Sequence, residues 1–249
     1  MIGKGKSIAH TARAIEYART KDNAIEIDRN MVIGETGKEI AHEFKIFQNF
    51  NSRCTKNTFS FVVSPTIEDG RNLTKKDFIQ ITREFLTELE LQNHQSITYL
   101  HRDREHFHLH ILCNRLNENG IAKKDNFIGK KAQRVAEKIA LNKNLTTAKE
   151  VQMNKEEKLR AIVESAHRKI LELKPKDITE YAELMKANQI ILILKKDSKE
   201  NLVGISFQID NQYIKGSAVN KQLSAKNLQN TIINLNKPIK IQNSQGIRL

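Results

Sequence analysis

Apolar positions recur along the chain with two periods, near 3.6 for helices and 2 for strands. Ile8, Ala12 and Ile15 fall on one stripe and predict a helix over 7–19. Ile40, Phe44 and Phe47, spaced by four and three, predict another over 35–50. Phe59-Ser-Phe-Val-Val-Ser64 reads as a strand ended by Pro65. Thr74 is placed to cap a helix running to about Leu91, with Phe78, Ile81, Phe85 and Leu89 facing a core. Strands over 97–101 and 106–114 flank a charged turn, Arg102-Asp103-Arg104-Glu105, and 130–141 returns to helix.

Past that point the texture changes. Residues 143–155 are polar and read as a linker. An amphipathic helix over 156–173 stops before Pro175, and a second covers 178–187. Strands follow over 189–194 and 203–210, with 213–216 extending that sheet, and a last helix covers 223–235. Residues 236–249 show little periodicity and read as a flexible tail. The expected fold class is therefore α+β: an antiparallel central sheet with helices packed against it over 1–142, and a smaller α+β region over 156–235.

Composition narrows the functional classes. With 249 residues, 39% hydrophobic and 29% charged, the chain can bury a core and is not broadly disordered. Lys and Arg total 42 against 29 Asp and Glu, and the net charge of +13 points to a polyanionic partner, most simply nucleic acid. Cys54 and Cys113 are the two cysteines, too few for a disulfide framework or a cysteine-based zinc module. No apolar run reaches the length of about 18 residues that a spanning helix needs, and Met1-Ile-Gly-Lys-Gly5 has no secretory character. These features lead us to expect a soluble cytoplasmic protein without a membrane segment.

Four of the eight histidines lie within ten positions, in His101-Arg-Asp103-Arg-Glu105-His106-Phe-His108-Leu-His110. Strand alternation puts His106, His108 and His110 on one face and Phe107, Leu109, Ile111 and Cys113 on the other, buried one. A short hairpin brings His101 beside His108 and His110. Three imidazoles converging from two strands form a site for a divalent ion with open positions, Mg or Mn first and Zn as the alternative. Asp103 is placed either to orient a ligand imidazole or to take a proton from a nucleophile. Glu105 reads as a solvated turn residue.

Two families share this texture. His106-Phe-His108-Leu-His110 resembles the histidine-triad nucleotide hydrolases, in which the middle histidine, here His108, is the nucleophile. The longer pattern of His101, Asp103, His106, His108, His110, Asn114 and Arg115 resembles the third motif of the conjugative relaxases, mobilisation nucleases of the HUH endonuclease superfamily. Phe59 to Pro65, the helix after Thr74, Asn93-His-Gln95 and Asn117-Glu-Asn-Gly120 are similar to flanking relaxase segments, and the resemblance covers roughly 1–140. A third reading, without catalysis, is a metal-stabilised DNA-binding protein.

The relaxase resemblance implies cleavage of one DNA strand by a tyrosine near the N-terminus, and the matching residue is Tyr17. Helical spacing agrees, because His10, Arg13 and Tyr17 share a stripe opposite Ile8, Ala12 and Ile15. It further implies Asp103 and His106 as catalytic groups, a metal held by His101, His108 and His110, and a 5′-phosphotyrosyl intermediate at an origin of transfer. Implied partners are single-stranded origin DNA, accessory mobilisation proteins and a coupling ATPase that serves plasmid or transposon transfer. The family opens with a strand before the tyrosine helix, for which Met1 to Lys6, rich in Gly and Lys, is the segment available. Lys131, Arg134 and Lys138 form a basic helical stripe, and with Arg13, Arg115, Lys123 and Lys124 they are expected to contact DNA phosphates. With no Trp and 6% aromatic residues, base stacking is limited, Phe127 being one candidate.

Overall fold

The computed structural model describes residues 1–103 and 106–237. Arg104, Glu105 and 238–249, which include most of the expected flexible tail, lie outside the described residues, as does the side chain of Asp103. The chain divides into two compact units, Met1–Val151 and Gln152–Leu249.

The first unit runs β1 (Ile2–Ile8), α1 (Thr11–Thr20), β2 (Ile25–Asn30), α2 (Gly37–Gln48), β3 (Thr58–Ser64), α3 (Ile67–Asn72), α4 (Lys75–Glu88), β4 (Ser96–Asp103), β5 (His106–Asn114) and α5 (Ile128–Asn142). The five strands form one antiparallel sheet in the order β1-β3-β5-β4-β2. Alternation along each strand sends side chains to two separate cores. Phe59, Phe61, Val63, Leu109, Ile111 and Cys113 pack against α4 and α5 on one face. Ile97, Tyr99 and Leu112 pack against Ile15 and Ala18 of α1 and Ile40 and Phe44 of α2 on the other.

Three expectations shift at the N-terminus. The strand expected within Met1 to Lys6, ahead of a helix from residue 7, runs through Ile8, and α1 begins at Thr11. Its glycines are the reason: a Cβ at Gly3 would collide with the Ala132 carbonyl and lie 2.7 Å from the Ala136 Cβ, so α5 packs directly on the strand backbone. The buried residues of α1 are accordingly Thr11, Ile15 and Ala18, in place of Ile8, Ala12 and Ile15. β2 carries no clear apolar run because it is an edge strand, and Glu26 and Asp28 pair with Arg29 and Arg83. The expected cap is present: Thr74 and Asp77 form a reciprocal capping box at the start of α4.

The helix expected from 156 begins earlier, as α6 (Ala148–Glu172). Thr147 and Glu150 exchange hydrogen bonds there in the pattern of a capping box, so eight residues read as linker are helical. Residues 152–237 continue with α7 (Ile178–Ala187), β6 (Ile191–Lys196), β7 (Leu202–Ile209), β8 (Gln212–Lys215), α8 (Gly216–Val219) and α9 (Ala225–Leu235). Their three-stranded antiparallel sheet, order β6-β7-β8, closes over its own core around Tyr181, Met185, Phe207 and Leu228. The fold class is α+β. Among the described residues no helix is long and apolar enough to cross a membrane.

Candidate active site

The hairpin of β4 and β5 sets His101 directly opposite His108, Tyr99 opposite His110 and Asp103 opposite His106. Because Leu109, Ile111 and Cys113 are drawn into the α4–α5 core, the histidines between them are turned to the face that carries α1. Ring centroids lie 4.2 Å apart for His101 and His110, 5.2 Å for His101 and His108, and 5.0 Å for His108 and His110. One ring nitrogen from each of the three falls within 4.8 Å of the others. His106 stands outside this trio. It is exposed, its ring centroid is 6.3 Å from that of His108, and its Nδ1 is 3.3 Å from the Ser64 hydroxyl.

The trio suits a divalent ion on an observation independent of spacing. His101 is fully buried, and its Nε2 lies 2.6 Å from the Ala18 carbonyl oxygen, which can only accept, so Nε2 carries the proton. Nδ1 is then a bare lone pair, buried and without a hydrogen-bond partner. A buried acceptor left unpaired is costly, and coordination to a cation would satisfy it. The Ala18 carbonyl would then play the orienting part that a carboxylate often plays for a metal-binding imidazole.

Tyr17 lies next to Ala18 on α1. Its side chain is 57% exposed, its ring centroid is 6.3 Å from that of His110, and the Lys21 ammonium is 5.9 Å from the ring. Bonds at both ends lock α1 to the sheet: Ala18 to His101, and the Thr11 hydroxyl 2.6 Å from that of Thr58. The remaining tyrosines are differently placed. Burial pushes the Tyr99 phenol up to about 12. Tyr181 is buried in the second unit with its hydroxyl 2.9 Å from His167 Nδ1 and its pKa raised by burial, and Tyr213 is exposed on β8.

An exposed phenol thus stands beside three clustered imidazoles on an antiparallel sheet. The family model described as "Relaxase: MobA/VirD2-like, nuclease domain" matches residues 14–145, just over half of the chain. The chain belongs to this relaxase family. No curated protein and no solved structure matches it. Relaxase nucleases nick DNA and act on single strands, so the histidine-triad nucleotide hydrolase reading falls away.

The residues expected to hold DNA divide in this relaxase. Arg13 is exposed on α1, one turn before Tyr17. Lys123, Lys124, Lys131, Arg134 and Lys138 converge on a groove of about 310 Å³, but α5 places it on the sheet face opposite the histidines. Glu90 pairs with Lys123 there, and Glu88 with Lys138. Arg115, expected to contact DNA, has a guanidinium that donates to the carbonyls of Lys123 and Lys56 and to Asp125, and leans over Phe59. Asn114 is likewise internal, bonding to Phe44, Gln95, Gln48 and Leu116. Phe127 is exposed at the head of α5 with the Lys130 ammonium 5.4 Å from its ring.

Two further cations stand on the histidine face of the sheet. Lys4 pairs with Val62, and Val62 with His110, so Lys4 stands two strands from the histidines on the same sheet face, with Lys6 next to it on that face. The Gly3-Lys-Gly-Lys6 alternation is the signal: glycines toward α5, lysines toward the site.

Proposed function

We propose that this relaxase nicks one strand of DNA at an origin of transfer by attack of Tyr17, and so begins plasmid or transposon mobilisation. The observation that carries this reading is the exposed Tyr17 ring 6.3 Å from His110. The Tyr17 oxygen bonds to phosphorus, the bond from phosphorus to the 3′ oxygen breaks, and the phenol proton passes through a base to the leaving oxygen. The products are a 5′-phosphotyrosyl strand and a free 3′-hydroxyl, with phosphodiester energy conserved for rejoining.

A phenol is a poor nucleophile at neutral pH and needs help. His101, His108 and His110 would hold a divalent ion, Mg or Mn ahead of Zn, which supplies Lewis-acid stabilisation of the phosphate oxygens when bound. His106, outside the trio and next to Ser64, is assigned the proton transfer, with Asp103 at the end of the same hairpin as its partner. Lys4 and Lys6 guide backbone phosphates over the open sheet floor, and Arg13, Lys124, Lys131 and Arg134 add phosphate contacts. Accessory origin-binding proteins and a coupling ATPase complete the transfer machinery.

The test is a covalent adduct. A single-stranded oligonucleotide from a cognate origin, incubated with protein and Mg or Mn, gives a protein–DNA species whose mass maps to Tyr17. Tyr17→Phe abolishes it while changing stability by less than about 0.5 kcal/mol, as expected for an exposed ring. Full adduct formation by Tyr17→Phe would refute the assignment.

A further inference from the structure

Helices α1 and α2 pack side by side, and along their solvent side runs a groove of which the proposed nicking uses Arg13 and Tyr17 alone. Its first part holds about 400 Å³ between His10 and Arg13 of the α1 segment and Lys38, His42 and Lys45 of α2. Its second part, about 700 Å³, shares Ala12, Arg13 and Lys38 with the first and ends at Tyr17. The two therefore adjoin, and the second reaches Tyr17.

Sequence spacing builds its walls. Lys38, His42 and Lys45 recur at four and three along α2, all exposed, while Ile40 and Phe44 face inward. Arg13 and Tyr17 are one turn apart on the crest of α1. Ala9, Ala12 and Ala41 line the groove with small side chains that leave it open. None of the described residues lining the first part is acidic. Glu16, which lines the second, is ion-paired with Arg19 and accepts from the Gly37 amide, and both hold its carboxyl below the usual range. At the head of α1, His10 makes no capping bond and the first turn holds no acid, so the positive end of the helix opens into the groove.

We infer that this groove binds single-stranded DNA on one side of the scissile phosphate, with Arg13, Lys38 and Lys45 on successive backbone phosphates. The inference rests on the nicking function proposed above and gives the strand its route away from Tyr17.

Binding is measured with fluorescein-labelled oligo(dT) of twenty nucleotides, the full-length protein and a chelator, so that no cleavage is required. Lys38→Ala/Lys45→Ala should bind roughly three- to tenfold more weakly near 0.1 M salt and lower the slope of log affinity against log salt by about 1.4. Lys199→Ala/Lys226→Ala, a pair of exposed lysines in the second unit, should match wild type. Bound oligonucleotide should shield Lys38 and Lys45 from acylation as read by mass spectrometry. An unchanged slope, unshielded lysines, or an equal loss from the control pair would overturn the groove. A protein that passes these tests yet forms no Tyr17 adduct would refute the nicking reading alone.

Discussion

The His101 imidazole donates its Nε2 proton to the carbonyl of Ala18, at 2.6 Å, and Ala18 is the neighbour of Tyr17. One bond therefore fixes the tautomer of a candidate metal ligand and pins the helix that carries the candidate nucleophile. Filling the trio should stiffen α1, because a coordinated His101 holds the Ala18 carbonyl more firmly. Adding Mn should slow backbone amide exchange over residues 11–20. His101→Ala should weaken Mn binding by at least roughly tenfold in calorimetry and abolish that protection. His106→Ala, outside the trio, should keep Mn affinity within about twofold. Equal losses from the two substitutions would show that the trio is not the site.

The histidine site was legible in sequence because strand alternation needs only the strand to be recognised. Once 106–114 is extended, His106, His108 and His110 must share a face, and Leu109 and Ile111 must oppose them. The hidden parts were those set by a partner far along the chain. Gly3 and Gly5 look like breakers until α5, more than a hundred residues later, is seen to lie against them. The role of Arg115 depends on carbonyls at Lys56 and Lys123 that no local pattern places near it. The extra turns at the start of α6 were readable, since Thr147 and Glu150 have the spacing of a capping box, but the polar composition masked it.

Arg115 should behave as a structural residue. Arg115→Ala removes three hydrogen-bonded partners and a cation–π contact, and should cost about 1–3 kcal/mol of stability in urea unfolding. The salt slope of single-strand binding should not change. Lys131→Ala/Arg134→Ala should do the reverse, lowering that slope by about 1.4 with stability held within about 0.5 kcal/mol. A flattened slope in Arg115→Ala would return it to the DNA-contacting set.

Packing of α5 on β1 sets a sharp size limit at Gly3. Gly3→Ala forces a methyl group onto the Ala132 carbonyl and the Ala136 side chain. Overpacking of this kind costs about 1–3 kcal/mol. Each kcal/mol lowers the melting temperature by about 2–4 °C in a chain of this size. The melt should fall accordingly, and because β1 carries Lys4 and Lys6, single-strand affinity should fall with it at temperatures near the new transition. A melting temperature equal to wild type would mean that α5 does not pack there as described.

Two buried histidines away from the site make folding sensitive to mild acid. Burial lowers the pKa of His94, whose Nδ1 donates to the Asn114 carbonyl at 2.8 Å, and that of His167, hydrogen-bonded to Tyr181. The unfolded imidazole titrates near 6.5, and the folded one titrates lower. As pH falls through 6.5 the unfolded chain takes up protons that the folded chain refuses, so stability falls with pH until the folded value is passed. Each group contributes at most about 1.4 kcal/mol per pH unit in that window. Carboxylates held low by hydrogen bonds, such as Glu39 and Asp77, add their loss only at more acid pH. The urea midpoint should therefore drop between pH 7.5 and pH 5.5, and His94→Asn should flatten the part of the decline that belongs to the nuclease unit. A midpoint that holds steady or rises over the same interval would mean that neither imidazole is kept neutral by burial.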